Sequence, residues 1–334
     1  MKSFLEQLPK AELHVHLEGT LEPALLFELA SRNDIQLPYH TVEDVLAAYD
    51  FDDLSSFLAI YYPAMDVLRT EADFYDLAYQ YFERAAKQNV IYCEPFFDPQ
   101  AHTIRGVDFD TVIKGISQAQ KDAREYLGLD SNLIMCILRD YSAESAAEHL
   151  KLAQPHFDKL IGLGLDSDEK DNPPSKFSDT FTAARDAGLK LTMHCDVNQK
   201  DIHDHIRECL DVIQVDRIDH GINILEREDL IEDVKARNLG LTICPLSNEF
   251  VVQNLTGGEI RRFLELGIKA TVNSDDPAYF RGYMNENLVA LAERAGFSRD
   301  ELVQLTRNAF EISWADKQSK ANYLKKLDTY EASA

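Results

Sequence analysis

Eight short apolar runs alternate with stretches of helical periodicity along the 334 residues, and that alternation limits the fold more than any other feature. The runs lie near residues 11–16, 90–97, 133–139, 160–166, 189–194, 217–220, 240–244 and 268–274, with helical patterns such as 71–87, 111–127 and 201–215 between them. Parallel neighbours in a sheet need a long return connection, so strand–helix alternation predicts parallel strands joined by crossover helices. Eight such units in one chain of this size predict an α/β fold of the (β/α)8 TIM-barrel type rather than an open sheet. A dinucleotide fold would carry a Gly-rich turn after its first strand, but the chain there reads His16-Leu17-Glu18-Gly19-Thr20.

Residues 20–88 are too many for one crossover and contain several helical patterns, including 23–32 and 41–48. We expect one barrel domain over residues 1–334, with this insertion lying over the mouth as a helical lid. Most aromatics of the 51–62 cluster would pack the inserted helices together, with one or two reaching a ligand.

Five runs end in residues able to bind a metal or move a proton. They finish in Leu13-His14-Val15-His16, Thr192-Met193-His194, Ile218-Asp219-His220, Ile243-Cys244-Pro245 and Asn273-Ser274-Asp275-Asp276. Side chains alternate along a strand with period two, so His14 and His16 share a face and could reach one ion. Barrel active sites lie at the carboxyl ends of the strands, where His14, His16, His194, His220 and Asp275 all fall. Imidazoles and a carboxylate suit a borderline divalent ion, most often Zn2+, which lowers the pKa of water to about 7. His220 is placed to collect and return protons beside it.

Each residue has a plainer reading. A lone buried histidine is more often a hydrogen-bonded core residue than a ligand, and Asp275-Asp276-Pro277 could be a turn and helix cap. Cys244-Pro245 could be a strand end and no more. Jointly the set is hard to explain as structure, because gathering polar groups in one barrel mouth costs free energy unless they are used. His40, His102, His149, His156, His203 and His205 read as loop or polar-face residues with no metal role.

Charge narrows the partners. Asp and Glu number 58 against 34 Lys and Arg, a formal net charge of -24 that disfavours nucleic acid and membrane surfaces. A small-molecule substrate, neutral or cationic, is compatible with it. The five cysteines are widely spaced, form no Cys-x-x-Cys and predict a reducing compartment. With no signal-peptide pattern and no membrane-length apolar stretch, the expectation is a cytoplasmic protein. Apolar helix faces suit core or interface equally, leaving a homo-oligomer open.

Four segments carry a specific resemblance: residues 8–20 around Glu12-Leu13-His14-Val15-His16, Arg217-Ile218-Asp219-His220-Gly221, Cys244-Pro245-Leu246-Ser247-Asn248, and Asn273-Ser274-Asp275-Asp276-Pro277-Ala278-Tyr279-Phe280. Through them the chain resembles the adenosine/adenine deaminase family of the amidohydrolase superfamily over nearly its whole length. Cys244-Pro245-Leu246-Ser247-Asn248, Ser274-Asp275-Asp276-Pro277, Phe96-Phe97-Asp98-Pro99-Gln100 and Gly164-Leu165-Asp166-Ser167 are more similar to the free-base adenine deaminases than to the nucleoside enzymes. The resemblance implies that His14, His16, His194 and Asp275 hold one zinc ion, and that His220 orients and deprotonates the attacking water. It also implies that Asp276 meets purine N7 and that the region of Asp166 and Ser167 faces the other edge of the base. Glu18 stands where nucleoside deaminases carry a shorter Asp against ribose, which would narrow the sugar space. The implied reaction is hydrolysis of adenine to hypoxanthine and ammonia.

One segment departs from the pattern. The family carries His-Ala-Gly-Glu at the fifth strand, and its Glu protonates purine N1; here the chain reads His194-Cys195-Asp196-Val197-Asn198-Gln199. Val197 cannot transfer a proton, and losing general-acid help costs ~10²–10⁴ in rate. Asp196 is the nearest candidate to replace it, with a helix cap or a partner of His194 as its plainer role. The shorter side chain would leave room beside the 6-substituent, so adenines alkylated on N6, of the isopentenyladenine type, are expected to be accepted. Rival readings are an adenosine deaminase, another amidohydrolase reaction, and a non-catalytic purine-binding barrel. Two-metal members often use a bridging carboxylated Lys, yet the third and fourth runs end in Arg139-Asp140 and Asp166-Ser167.

Overall fold

The computed structural model describes residues 1–195 and 198–333; Asp196, the candidate proton donor, and Val197 lie outside the described residues. All eight apolar runs contain strand: β1 (Lys10–Glu12), β2 (Val90–Cys93), β3 (Phe96–Phe97), β5 (Leu133–Leu138), β6 (Leu160–Asp166), β7 (Lys190–Cys195), β8 (Arg217–His220), β9 (Gly240–Ile243) and β10 (Lys269–Val272); the short β4 (Asp130–Ser131) lies outside them. The second run is split between β2 and β3 at Glu94-Pro95, where proline has no N–H to offer a ladder.

All the strand pairings are parallel. One sheet has the order β10-β9-β8-β7-β6-β5-β3, and β1, β2 and β4 form a second. The segment after β1 links the two edges of the larger sheet, through bridges from Val15 to Asp275 and from His16 to Phe96. Backbone N–H groups of His16 and Leu17 donate to Asp275 (3.0 Å) and Phe96 (2.9 Å). The result is the expected α/β fold of TIM type.

Two details differ from expectation. β1 stops at Glu12, so His14 and His16 lie on extended chain beyond the regular ladder. The cause is a side chain replacing backbone: Leu13 N–H donates to Asn273 Oδ1 at 2.8 Å instead of to a neighbouring carbonyl. The two imidazoles still converge, with ring centroids 5.6 Å apart. Second, His102, His149, His156 and His205 are buried rather than set on loops or polar faces. Each is satisfied by a neighbour: Glu18 (2.8 Å), Thr103 (2.7 Å), Asp110 (2.7 Å) and Glu169 (2.6 Å) respectively.

The barrel interior is narrow. A Cβ on Gly164 would lie 2.5 Å from Cys136 Sγ, so only glycine fits opposite that thiol. Below the mouth, Arg217 and Glu94 pair in the interior over Trp314. The 20–88 insertion forms helices Pro23–Arg32, Val42–Ala48, Leu54–Ala64 and Glu71–Lys87. Asp53 starts the third with a reciprocal cap to Ser56. Its inner face sets Phe57 and Tyr61 against Tyr279 and Phe280, above the strand ends. No helix among the described residues is long and apolar enough to cross a membrane.

Candidate active site

His14, His16, His194 and Asp275 converge at the carboxyl end of the sheet. His14 Nε2 lies 3.0 Å from Asp275 Oδ1 and 3.1 Å from His194 Nε2. His16 Nε2 lies 3.2 Å from His194 Nε2 and 3.4 Å from Asp275 Oδ1. Four donors bound at about 2.0–2.1 Å round a tetrahedral centre stand about 3.3–3.4 Å apart, so the spacing matches one zinc-sized cation.

The far ring nitrogens decide what these atoms can be. His194 Nδ1 faces the Leu165 carbonyl at 3.0 Å and must donate to it. Thr242 donates its hydroxyl proton to Asp219 Oδ1 (2.7 Å), so its oxygen is left to accept from His14 Nδ1 at 2.9 Å. His16 Nδ1 faces Asp166 Oδ2 at 3.4 Å. In His194 and His14 the Nδ1 therefore carries the proton and a bare Nε2 lone pair faces the Asp275 oxygen, while at His16 burial is outweighed by Asp276, Asp275 and Asp166, which hold its imidazole well above the usual range. Burial, with His14, His16 and His220 adding to it, holds His194 well below the usual imidazole range. Lone pairs packed this closely repel unless a cation lies between them, so the residues fit a metal.

His220 stands beside this cluster, its Nε2 3.8 Å from Asp275 Oδ2. Burial lowers its pKa to about 4, leaving a neutral base. Strand alternation alone would point His220 outward, because Asp219 points inward to Thr192 (2.6 Å) and Thr242. A left-handed backbone at His220 (φ 58°) turns it back toward the mouth. Ser167 (φ 73°) and Asp275 (φ 63°) share that conformation at two other strand ends. Non-glycine residues adopt it at a cost of order 1–3 kcal/mol, and it concentrates at functional sites.

A cavity opens from the cluster. Its polar side is formed by His16, Asp98, Asp166, Ser167, His194, His220, Ser247, Asn248, Asp275 and Asp276, and its other side by Leu54, Phe57, Leu58, Tyr61, Tyr62, Val251 and Phe280. Three aromatics of the 51–62 cluster thus line it. Asp276 fits only because residue 19 is glycine: a Cβ there would stand 2.0 Å from Asp276 Oδ1. Burial, with Asp275 and Asp166 adding to it and His16 opposing, pushes Asp276 well above the ordinary carboxylate range. Burial likewise raises Asp166 to about 6, and raises Asp98 well above its usual range with Asp166 and Glu18 adding.

Glu18 is not in the cavity wall, contrary to the expectation that it would narrow a sugar space. Its Oε1 accepts from His102 (2.8 Å) and from the backbone N–H of Asp98 (3.1 Å), one layer behind. Sequence reasoning passed over Asp219, Thr192, Thr242 and Asp98. The first three had a signal, since Thr192 lies two residues before His194, Asp219 two after Arg217 and Thr242 two before Cys244 on strand faces of period two. Asp98 had none beyond its motif.

The adenosine deaminase family profile matches residues 9–330. The chain is 50% identical over 321 residues to an adenine deaminase of Rhodospirillum rubrum, covering 96% of each protein. It is 46% identical over 333 residues to an adenine deaminase of Geotalea uraniireducens, covering 99% of this chain and 93% of that one. Among solved structures, an adenine deaminase from Arthrobacter aurescens superposes with a TM-score of 0.94 at 42% identity, over 97% of this chain and 99% of that one. An amidohydrolase from Burkholderia ambifaria with bound Zn superposes with a TM-score of 0.89 at 25% identity, over 99% and 94%.

Proposed function

This chain belongs to the adenosine deaminase family, and from that we propose that it hydrolyses adenine to hypoxanthine and ammonia. The observation carrying this reading is the convergence of three imidazole Nε2 atoms and Asp275 Oδ1 beside a neutral His220. His14, His16, His194 and Asp275 would hold one zinc ion per chain, whose Lewis acidity would make water nucleophilic near neutral pH. The three-nitrogen, one-carboxylate donor set supports zinc, as does its presence in the Burkholderia ambifaria relative.

The side chains divide the remaining work. His220 takes the proton of the attacking water and later returns one to the departing amine. Asp276, protonated in its buried position, donates to purine N7. Addition at C6 builds charge on N1, and we assign its proton to Asp196, two residues beyond His194 in sequence. Ser167 faces the opposite edge of the base. The five thiols are all free and buried, which supports a cytoplasmic setting.

The walls restrict the substrate. Four carboxylates (Asp98, Asp166, Asp275 and Asp276) line the cavity, and no Lys or Arg does among the described residues. A phosphate there would be buried without a cationic side chain to pair it, which disfavours nucleotides. The apolar surface of Leu54, Leu58 and Val251 supports acceptance of an N6-alkyl group. The test is deamination of a panel by the zinc-loaded enzyme, with Asp196→Ala as the paired variant. Adenine and isopentenyladenine should turn over, and AMP should fall at least about 10²-fold below adenine. Asp196→Ala should lose ~10²–10⁴ in kcat on both bases. No turnover of adenine overturns the function; no turnover of isopentenyladenine removes only the wider substrate range.

A further inference from the structure

Asp98 and Asp166 are buried in the cavity wall without ordinary satisfaction of their carboxyl groups. Among the described residues, Asp98 Oδ1 and both Asp166 oxygens make no hydrogen bond of normal geometry, and neither does Ser167 Oγ beside them. Asp98 is 1% exposed and Asp166 2%. One oxygen of each lies within 4.8 Å of the other and of a His16 nitrogen. A buried polar group left without a partner costs free energy; Asp166 Oδ2 has His16 Nδ1 at 3.4 Å, and Asp98 Oδ1 is the wall atom left for a ligand.

The position of Asp98 is built rather than incidental. Its backbone N–H donates to Glu18 Oε1, which is itself held by His102; Arg105 donates in turn to His102 Nδ1 at 2.6 Å. The following residues enter the helix Pro99–Thr103, and Gln100 Oε1 accepts from Leu138 N–H at 2.8 Å. Glu18 thus acts on the cavity as a positioning residue for Asp98.

With C6 beside His220 and N7 against Asp276, the N3/N9 edge of a purine is turned toward the wall of Asp98, Asp166 and Ser167. That edge carries one acceptor, N3, and in a free base one donor, N9–H. A carboxyl oxygen accepts from N9–H, and a hydroxyl or protonated carboxyl donates to N3. A base substituted at N9 has no proton to give and leaves an acceptor buried without a donor. We infer that Asp98, with Asp166 at its side, is the specificity-determining residue that selects a free base by accepting its N9–H. The inference rests on the adenine deaminase reading above and adds to it the atom being read.

The test compares adenine with 9-methyladenine, which differs only by a methyl in place of the N9 proton. Sites built to bond a substrate N–H reject analogues lacking it by ~10⁴–10⁵, so wild-type kcat/KM should favour adenine by at least ~10³. In Asp98→Ala the preference should shrink by about 100-fold or more, adenine losing and 9-methyladenine gaining, with bound zinc unchanged. Equal losses on both substrates, the ratio holding within about threefold, overturn the inference. Should Asp98→Ala fail to fold, hypoxanthine and 9-methylhypoxanthine are compared as inhibitors of the wild-type enzyme. A Ki ratio below about tenfold then overturns it, and a ratio near 10³ supports it. Failure of the wild type to deaminate adenine at all is a different result and sinks the functional reading itself.

Discussion

His194→Ala should abolish both zinc retention and adenine deamination, with the rate falling by more than ~10⁴, beyond what loss of acid–base help alone costs. His194 Nε2 lies within 3.2 Å of both His14 Nε2 and His16 Nε2, so no other described side chain closes that corner of the cluster. His220→Ala is the informative contrast. It should keep the metal, because His220 lies outside the group formed by His14, His16, His194 and Asp275, and should lose only ~10²–10⁴ in kcat. Metal content by mass spectrometry beside kcat separates the two variants. If His194→Ala binds zinc as tightly as wild type, the assignment of the cluster is wrong. Thr242→Val and Asp219→Asn act through His14 and should weaken metal affinity by about 10–100-fold, the usual effect of losing a partner that orients a ligand.

The largest stability effect is expected from Arg217→Met. Arg217 Nη1 donates to Glu94 Oε2 at 2.5 Å, both side chains are at most 1% exposed, and the guanidinium stacks over Trp314 at 4.1 Å. Removing the cation leaves Glu94 as a buried charge with, among the described residues, Tyr92 OH (2.7 Å) and Trp314 N–H as its donors. Breaking such a pair costs roughly 3–5 kcal/mol, whereas replacing both members with apolar residues is often neutral. Arg217→Met should therefore lower the urea midpoint sharply, and Arg217→Met combined with Glu94→Leu should recover much of the loss. A shift of less than about 1 kcal/mol in the single variant would show that the pair holds little. Arg217 Nη2 also donates to the Leu13 carbonyl at 3.2 Å, next to His14, so metal affinity should fall alongside stability.

Strand–helix order, the 20–88 insertion and the residues at the strand ends were readable along the chain, because each is a local pattern of period two or 3.6. His14, His16, His194 and Asp275 belong to that group: each follows an apolar run, and run ends in a parallel barrel share one face of the molecule. Other features exist only once distant segments meet. His220 reaches the mouth through a left-handed backbone that reverses strand alternation, and the surrounding fold, rather than local propensity, holds it there. The early end of β1, the inward pairing of Arg217 with Glu94 and the seating of Asp98 on Glu18 and His102 join residues between 80 and 260 positions apart. Periodicity reports which face a side chain takes, but not which charge or carbonyl will stand opposite it. That choice belongs to the closed arrangement of strands, where low dielectric makes every unpaired polar atom expensive and so selects its partner.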